Sequence, residues 1–215
     1  MNRTCAQSGW VARLDRRDLE DDKAPADPMA LFAAWFEQAG QAGLVEPTAM
    51  ALATADPLGQ PSVRTVLLKG FDAAGFRFYT NYHSRKGREL LTNPRAALLF
   101  WWDVLERQVR IEGSVTTLDE AESDAYFAAR PRGSQLGACA SPQSQVIMSR
   151  DALEKAYGRA QEQFRDRSVP RPPNWGGYLL APQRMEFWQG RSNRLHDRLA
   201  YRRDGETWQR QRLAP

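Results

Sequence analysis

Cysteine is almost missing: Cys5 and Cys139 are the two in 215 residues. They are too few and too far apart for a disulfide framework or a metal cluster, they suit a reducing compartment, and no zinc site is expected. No apolar run is long enough to span a bilayer, and residues 1–17 lack the apolar centre of a secretory signal. No repeat, low-complexity block or polybasic tail stands out. Lys+Arg 30 against Asp+Glu 26 leaves a net charge of +4, a balance that suits a phosphorylated small ligand as well as nucleic acid. These absences leave a cytoplasmic enzyme or binding protein. Its length suits one domain at 25–215, preceded by a charged, flexible N-terminal arm at 1–24.

Asp27-Pro28 predicts a capped helix with an apolar stripe of Leu31, Phe32, Trp35, Phe36 and Ala39, closing near Gly40 or Gly43. From Thr48 the period turns extended. Strands are expected at 48–55, 62–69, 76–81, 96–102 and 106–116, with turns at 56–59 and 72–75. A short helix follows Ser84. The series Thr117-Leu118-Asp119-Glu120 has the form of a capping box for a helix that Pro131 ends, and 151–167 is also helical. Strands at 177–180, 184–188, 194–202 and 207–213 complete the chain. The fold class is therefore α+β, mainly antiparallel β, with a small barrel and flanking helices.

Several clusters look built for anions. Ser84-Arg85-Lys86-Gly87 places two cations at a helix start, where they disfavour the helix unless an anion binds there. Tyr126 and Arg130 lie i,i+4, with Ser134 just beyond, so phenol, guanidinium and hydroxyl can meet on one anion. Arg64 and Lys69 stand five apart, on opposite faces of a regular strand unless the chain bends. Gln108 shares a strand face with Glu106 and Arg110, and Gln143-Ser144 adds uncharged donors. Near the C-terminus, W-Q-G-R-S-N-R-L-H-D-R (188–198) puts Arg194, His196 and Arg198 on one face if 194–202 is a strand. Each piece has a plain alternative as a solvated edge, loop or strand end. Together, two anion sites without metal ligands, a Ser/His/Asp order or a glycine-rich nucleotide loop fit a phosphorylated aromatic cofactor beside a phosphorylated substrate. Flavin mononucleotide (FMN) is the simplest candidate.

The segments RTVLLK (64–69), FYTNYHSRKGREL (78–90), LERQVRIEG (105–113), YFAARPRGSQLGA (126–138), SPQSQVI (141–147), WGGY (175–178), FWQGRSNRLHDR (187–198) and RLAP (212–215) resemble, in order, those of the pyridoxamine 5′-phosphate oxidase family. The resemblance implies an FMN-binding split β-barrel, homodimeric, with FMN at the subunit interface touched by both chains. It implies flavin contacts at Arg64, Thr65, Val66, Leu67, Leu68, Lys69, Tyr79, Thr80, Arg85, Lys86, Gln108, Gln143, Ser144, Trp188 and Arg198. It implies substrate-phosphate contacts at Lys69, Tyr126, Arg130 and Ser134, and places Arg194 and His196, the catalytic pair, over the substrate ring. The activity implied is oxidation of pyridoxamine or pyridoxine 5′-phosphate at C4′ by the flavin, giving pyridoxal 5′-phosphate. Dioxygen then reoxidises the flavin with release of hydrogen peroxide. Arg194 is expected to orient the substrate and His196 to carry proton traffic. No residue of 1–24 is carried over. The alternatives are another split-barrel flavoprotein, a non-catalytic carrier of FMN or pyridoxal phosphate, and a nucleic-acid-binding barrel. The last is disfavoured because the cations sit in pocket motifs rather than along an extended basic face.

Overall fold

Pro28–Gln41 forms α1 as its sequence dictates: the Asp27 carboxylate accepts from the Met29 N–H at 2.9 Å, and proline occupies the first turn. The computed structural model describes Leu19, Glu20 and residues 23–215. Most of the expected arm, with Cys5, lies outside the described residues. Of its described part, Leu19 and Ala24 are buried in the main core.

The buried stripe of α1 (Leu31, Phe32, Trp35, Ala39) fills the concave side of a strongly curled antiparallel sheet. Phe32 is the hub. Its ring meets those of Phe71, Phe76 and Phe100 edge-on at 4.9, 4.8 and 5.2 Å, the geometry the ring quadrupole favours. Truncating so enclosed a ring costs on the order of 3–5 kcal/mol.

The strands are β1 (Ala49–Ala55), β2 (Pro61–Leu67), β3 (Gly70–Asp72), β4 (Gly75–Asn81), β5 (Arg95–Trp102), β6 (Arg107–Thr117), β7 (Trp175–Gln189), β8 (Asp197–Asp204) and β9 (Thr207–Arg212). They run β2-β1-β5-β6-β7-β4-β3, with β8 on β7 and β9 on β8. The long β7 splits the barrel. Along one edge Tyr178–Gln189 pairs with β6, while along the other Trp175–Leu180 pairs with β4 and Arg184–Gln189 with β8. The expected split into two strands, 177–180 and 184–188, does not occur. Consecutive Glu112 and Gly113 of β6 pair with Arg184 and Pro182, so Gln183 of β7 is the extra residue of a bulge, and the adjacent proline sits at this irregularity instead of ending the strand.

Among the described residues, four helices flank the sheet besides α1: α2 (Arg85–Thr92), α3 (Glu120–Ala129), α4 (Arg132–Ala140) and α5 (Arg150–Gln163). The capping residue of α3 is Asp119, whose carboxylate accepts from Glu122 N–H, not Thr117. Thr117 is the last residue of β6 and unable to cap. Pro131 ends α3 and also opens α4, a helix not foreseen because proline was read only as a terminator. A second core of Phe127, Leu136, Ala160, Phe164, Val169 and Trp175 joins α3–α5 to the start of β7.

The predicted strand 194–202 is wrong at its start. Ser192–Arg194 is a 3-10 turn and β8 begins at Asp197. Asn193 and Arg194 both have left-handed backbones, φ 58° and 61°, which breaks the alternation that would have aligned Arg194, His196 and Arg198. Glu106 likewise lies outside β6, with φ 50°. It therefore does not share the strand face of Gln108.

Candidate active site

The chain bends at Leu68, and this resolves the five-residue spacing of the two cations. The Leu68 N–H donates to Thr48 carbonyl and the Lys69 N–H to Arg77 carbonyl. The backbone thus leaves β2 and starts back towards β4, so that Arg64 and Lys69 line the same cavity. Its volume is about 260 Å³, and its lining also includes Thr65, Val66, Leu67, Tyr79, Thr80, Lys86, Tyr126, Arg130, Gln143 and Trp175. Two larger clefts, of about 430 and 530 Å³, contain none of the predicted residues.

One group of cations in this cavity sits on β2 and the start of α2. Ser84 caps α2 by accepting from Gly87 N–H, and the next two residues are Arg85 and Lys86. Lys86 is buried, yet among the described residues its ammonium donates only to neutral oxygens: Gln143 Oε1 at 2.9 Å, Thr80 Oγ1 at 3.1 Å and Ser84 Oγ at 3.3 Å. Burial, then the Arg64 charge, pulls it down to about 8, against the opposing pull of Glu89. Arg64 is held by Leu52 carbonyl at 3.1 Å, by Thr54 and Ser62 hydroxyls, and by Glu89 at 3.3 Å. Arg85 is exposed, pairs with Glu89 at 2.8 Å and does not line the cavity.

A second group is framed by aromatic rings. Tyr79 stacks on Tyr126 with centroids 3.8 Å apart and planes at 12°, and Trp175 lies nearly parallel to both. The Arg130 guanidinium sits 4.5 Å over the Trp175 ring, and its buried Nη1 has no hydrogen-bond partner among the described residues. Burial raises the Tyr126 phenol, and burial followed by the Glu122 charge pushes Tyr79 to about 12, so both remain donors. Gly177 makes the ring placement possible, since a Cβ there would lie 2.7 Å from Tyr79 Cε1 and 2.5 Å from Leu118 Cδ1. Ser134 is exposed in the first turn of α4 and is not part of the lining.

A third group lies on β6, β7 and β8. Gln108 is opposite Trp188, and Trp188 opposite Arg198, so the three line up across neighbouring strands. Trp101 extends the row on β5, its ring 6.0 Å from that of Trp188. The buried Glu186 carboxylate holds Arg198 Nε and Arg110 Nη2, each at 2.9 Å. His196 tilts over Trp188 with centroids 4.5 Å apart, and its Nδ1 accepts the Arg191 backbone N–H at 3.2 Å. The neutral ring therefore carries its proton on Nε2. Arg194 is exposed in the adjoining turn. None of this group lines the cavity of the same chain, and neither does Ser144, which has a left-handed φ of 67°.

Of the predicted flavin contacts, Leu68 turns its side chain into the core, so the side chain itself is not available to a ligand in the cavity. Trp175, Glu89 and Trp101 carry parts of these groups that residue-by-residue reading did not assign. WGGY did mark Trp175 as noteworthy, but only the tertiary fold puts Arg130 above it.

Two cationic groups with uncharged donors around an aromatic wall, on a curled antiparallel sheet split by one long strand, define the class: a split β-barrel built for phosphorylated ligands. Residues 36–164 match the family model described as pyridoxamine 5′-phosphate oxidase, and residues 175–215 match that of the pyridoxine 5′-phosphate oxidase C-terminal dimerisation region. The pyridoxine/pyridoxamine 5′-phosphate oxidase of Rubrobacter xylanophilus is 60% identical over 208 residues, 97% of this chain and 96% of that protein. That of Cupriavidus metallidurans is 57% identical over 197 residues, 91% and 92% of the two chains. The crystal structure of PhzG from Burkholderia lata, in complex with tetrahydrophenazine-1-carboxylic acid, superposes with a TM-score of 0.88 at 36% identity, covering 96% of this chain and 100% of that one. The chain belongs to the pyridoxamine 5′-phosphate oxidase family.

Proposed function

We propose that this chain forms a homodimeric, FMN-dependent oxidase that converts pyridoxamine or pyridoxine 5′-phosphate to pyridoxal 5′-phosphate, with dioxygen as the final acceptor and hydrogen peroxide as by-product. The observation that carries this reading is a pair of cations in one cavity, buried Lys86 and half-buried Arg130, neither with a carboxylate bonded to it among the described residues. Lys86 is surrounded by neutral oxygens and Arg130 has an orphaned Nη1. Buried charge without a counter-ion is costly, and a phosphate dianion at each position relieves it. The family matches and the dimerisation region agree with it. A cytoplasmic location belongs to the same proposal. Among the described residues no helix is long and apolar enough to cross a membrane.

Arg64 and Lys86, with Thr80 and Gln143, hold the cofactor phosphate from the cavity lining, and Arg85 and Ser144 are further contacts from outside that lining. Thr65, Val66, Leu67, Leu68 and Lys69 border the cofactor from the β2 side, Leu68 by its main chain, and Tyr79 lies beyond. Lys69, Tyr126 and Arg130 hold the substrate phosphate from the cavity lining, and Ser134 is a further contact from outside it. Gln108, Trp188 and Arg198 come from the partner's dimerisation face, together with Arg194 and His196. When bound, FMN supplies the two-electron acceptor and the route to dioxygen. The protein binds both phosphates, fixes the two rings face to face and excludes water. Arg194 orients the substrate by charge. His196 offers Nε2–H as a donor, because its Nδ1 is engaged by Arg191.

The test is an absorption spectrum of the purified yellow dimer before and after anaerobic addition of pyridoxamine 5′-phosphate, followed by admission of air and a peroxide assay. Bleaching, recovery and peroxide are expected. A spectrum unchanged by pyridoxamine and pyridoxine phosphates but bleached by a reduced phenazine carboxylate moves the substrate class. No bleaching with any of these leaves a carrier.

A further inference from the structure

Glu89 is a buried carboxylate that none of the roles above uses. It projects from α2 towards β1 and β2, its side chain 6% exposed. Oε2 accepts from Thr54 Oγ1, from Ser62 Oγ at 2.6 Å and from Arg64 Nη2 at 3.3 Å, while Oε1 accepts from Arg85 Nε at 2.8 Å. The two hydroxyls also accept from Arg64, through Nη1 to Thr54 and Nη2 to Ser62. Arg64 is thus tied to this carboxylate by one direct contact and two hydroxyl bridges. We propose that Glu89 is a positioning residue for the cofactor phosphate site, fixing the Arg64 guanidinium in the cavity lining with its Nε–H left for the anion, and drawing Arg85 towards the same end.

The inference rests on reading this end of the cavity as the flavin-phosphate site. Three features of the geometry support it. A long guanidinium on an edge strand, free to rotate, loses side-chain entropy when a ligand orders it, and Glu89 fixes Arg64 before the ligand arrives. The pair Arg85 and Glu89 is i,i+4 on α2, so the carboxylate reaches two cations on different elements at once. Burial alone would raise the Glu89 carboxyl, but the Ser62 and Thr54 hydroxyls, then Arg85 and Arg64, outweigh it and hold the group at about 2. It stays ionised wherever the enzyme works. One carboxylate shared by two arginines and a lysine leaves the site net positive, as an incoming dianion needs.

A clamp that merely staples α2 to the β1–β2 hairpin would show the same contacts, so the test reads coupling. FMN affinity is measured by flavin fluorescence quenching on the apo dimer for wild type, Glu89→Ala, Arg64→Ala and the double variant, with thermal melts run alongside. The expected result is that Glu89→Ala weakens FMN binding by about tenfold in the wild-type background and by at least threefold less once Arg64 is gone. Equal losses in the two backgrounds, or no loss from Glu89→Ala, overturn the positioning role. If Arg64→Ala itself leaves FMN affinity unchanged, the phosphate-site reading fails instead. Should Glu89→Ala not fold, Glu89→Gln keeps the volume and one acceptor oxygen, and the same cycle with the same criterion decides.

Discussion

Lys86 Nζ lies 2.9 Å from Gln143 Oε1, a contact between the first turn of α2 and the loop joining α4 to α5. It ties a buried cation to an amide instead of a carboxylate. The charge of Lys86 therefore remains available to a ligand, and its titration couples to binding. With its pKa lowered from 10.5 to about 8 by burial and Arg64, the unfolded chain holds more protons than the folded one between those values, so the apo protein gains stability as pH rises through that window. A bound phosphate dianion favours the charged amine. FMN affinity of the apo dimer should be level from pH 7 to about 8 and then fall, by up to about tenfold per unit. Fluorescence titrations across pH 7–9.5 check this, and Lys86→Arg should abolish the break.

Arg130→Leu removes the guanidinium beneath which Trp175 lies. Hydrogen bonds from a charged donor contribute about 1.5–3 kcal/mol, so KM for pyridoxamine 5′-phosphate should rise by roughly ten- to a hundredfold. FMN affinity should change little. Steady-state kinetics with a parallel flavin titration separate the two effects.

Gly177→Ala should push Tyr79 and Leu118 aside, since the new methyl meets both under 3 Å. Overpacking of this kind costs about 1–3 kcal/mol, visible as a lower midpoint in thermal melts. Substrate affinity should drop with it, because Tyr79 and Tyr126 stack directly.

His196 should show the Nε2–H tautomer in nitrogen-15 NMR of the imidazole at a pH where the ring is neutral, because its Nδ1 accepts from Arg191. His196→Gln should slow flavin reduction in single turnover while leaving FMN loading intact. An Nδ1–H signal would remove the basis for assigning it a donor role through Nε2.

Local chemistry carried much of the fold into the sequence. The Asp27-Pro28 cap and the Asp56-Pro57-Leu58-Gly59 turn each depend on residues adjacent in the chain, and each formed as read. The cations of the cavity were legible for the same reason: Ser84, Arg85 and Lys86 announce a helix start by themselves. What escaped depends on distant partners. The continuity of β7 through Pro182 rests on its pairing with β6 on both sides of the bulge at Gln183. The turn carrying Arg194 looked like a strand because its left-handed residues are Asn193 and Arg194, with no glycine to mark them. Nothing in the sequence singled out Glu89, and only the fold of β1 and β2 over it buries the carboxylate.

The cavity group and the β6–β7–β8 group do not meet within one chain, and residues 175–215 match a dimerisation region. The central claim is that two chains complete each site. Arg64→Ala and Arg198→Ala chains, co-expressed under different tags so that mixed dimers can be isolated, test it most directly through FMN content and oxidase turnover. Each homodimer should be defective at both sites, while a mixed dimer contains one intact site and one doubly altered site, restoring about half the wild-type capacity per dimer. Mixed dimers no better than either homodimer would contradict it.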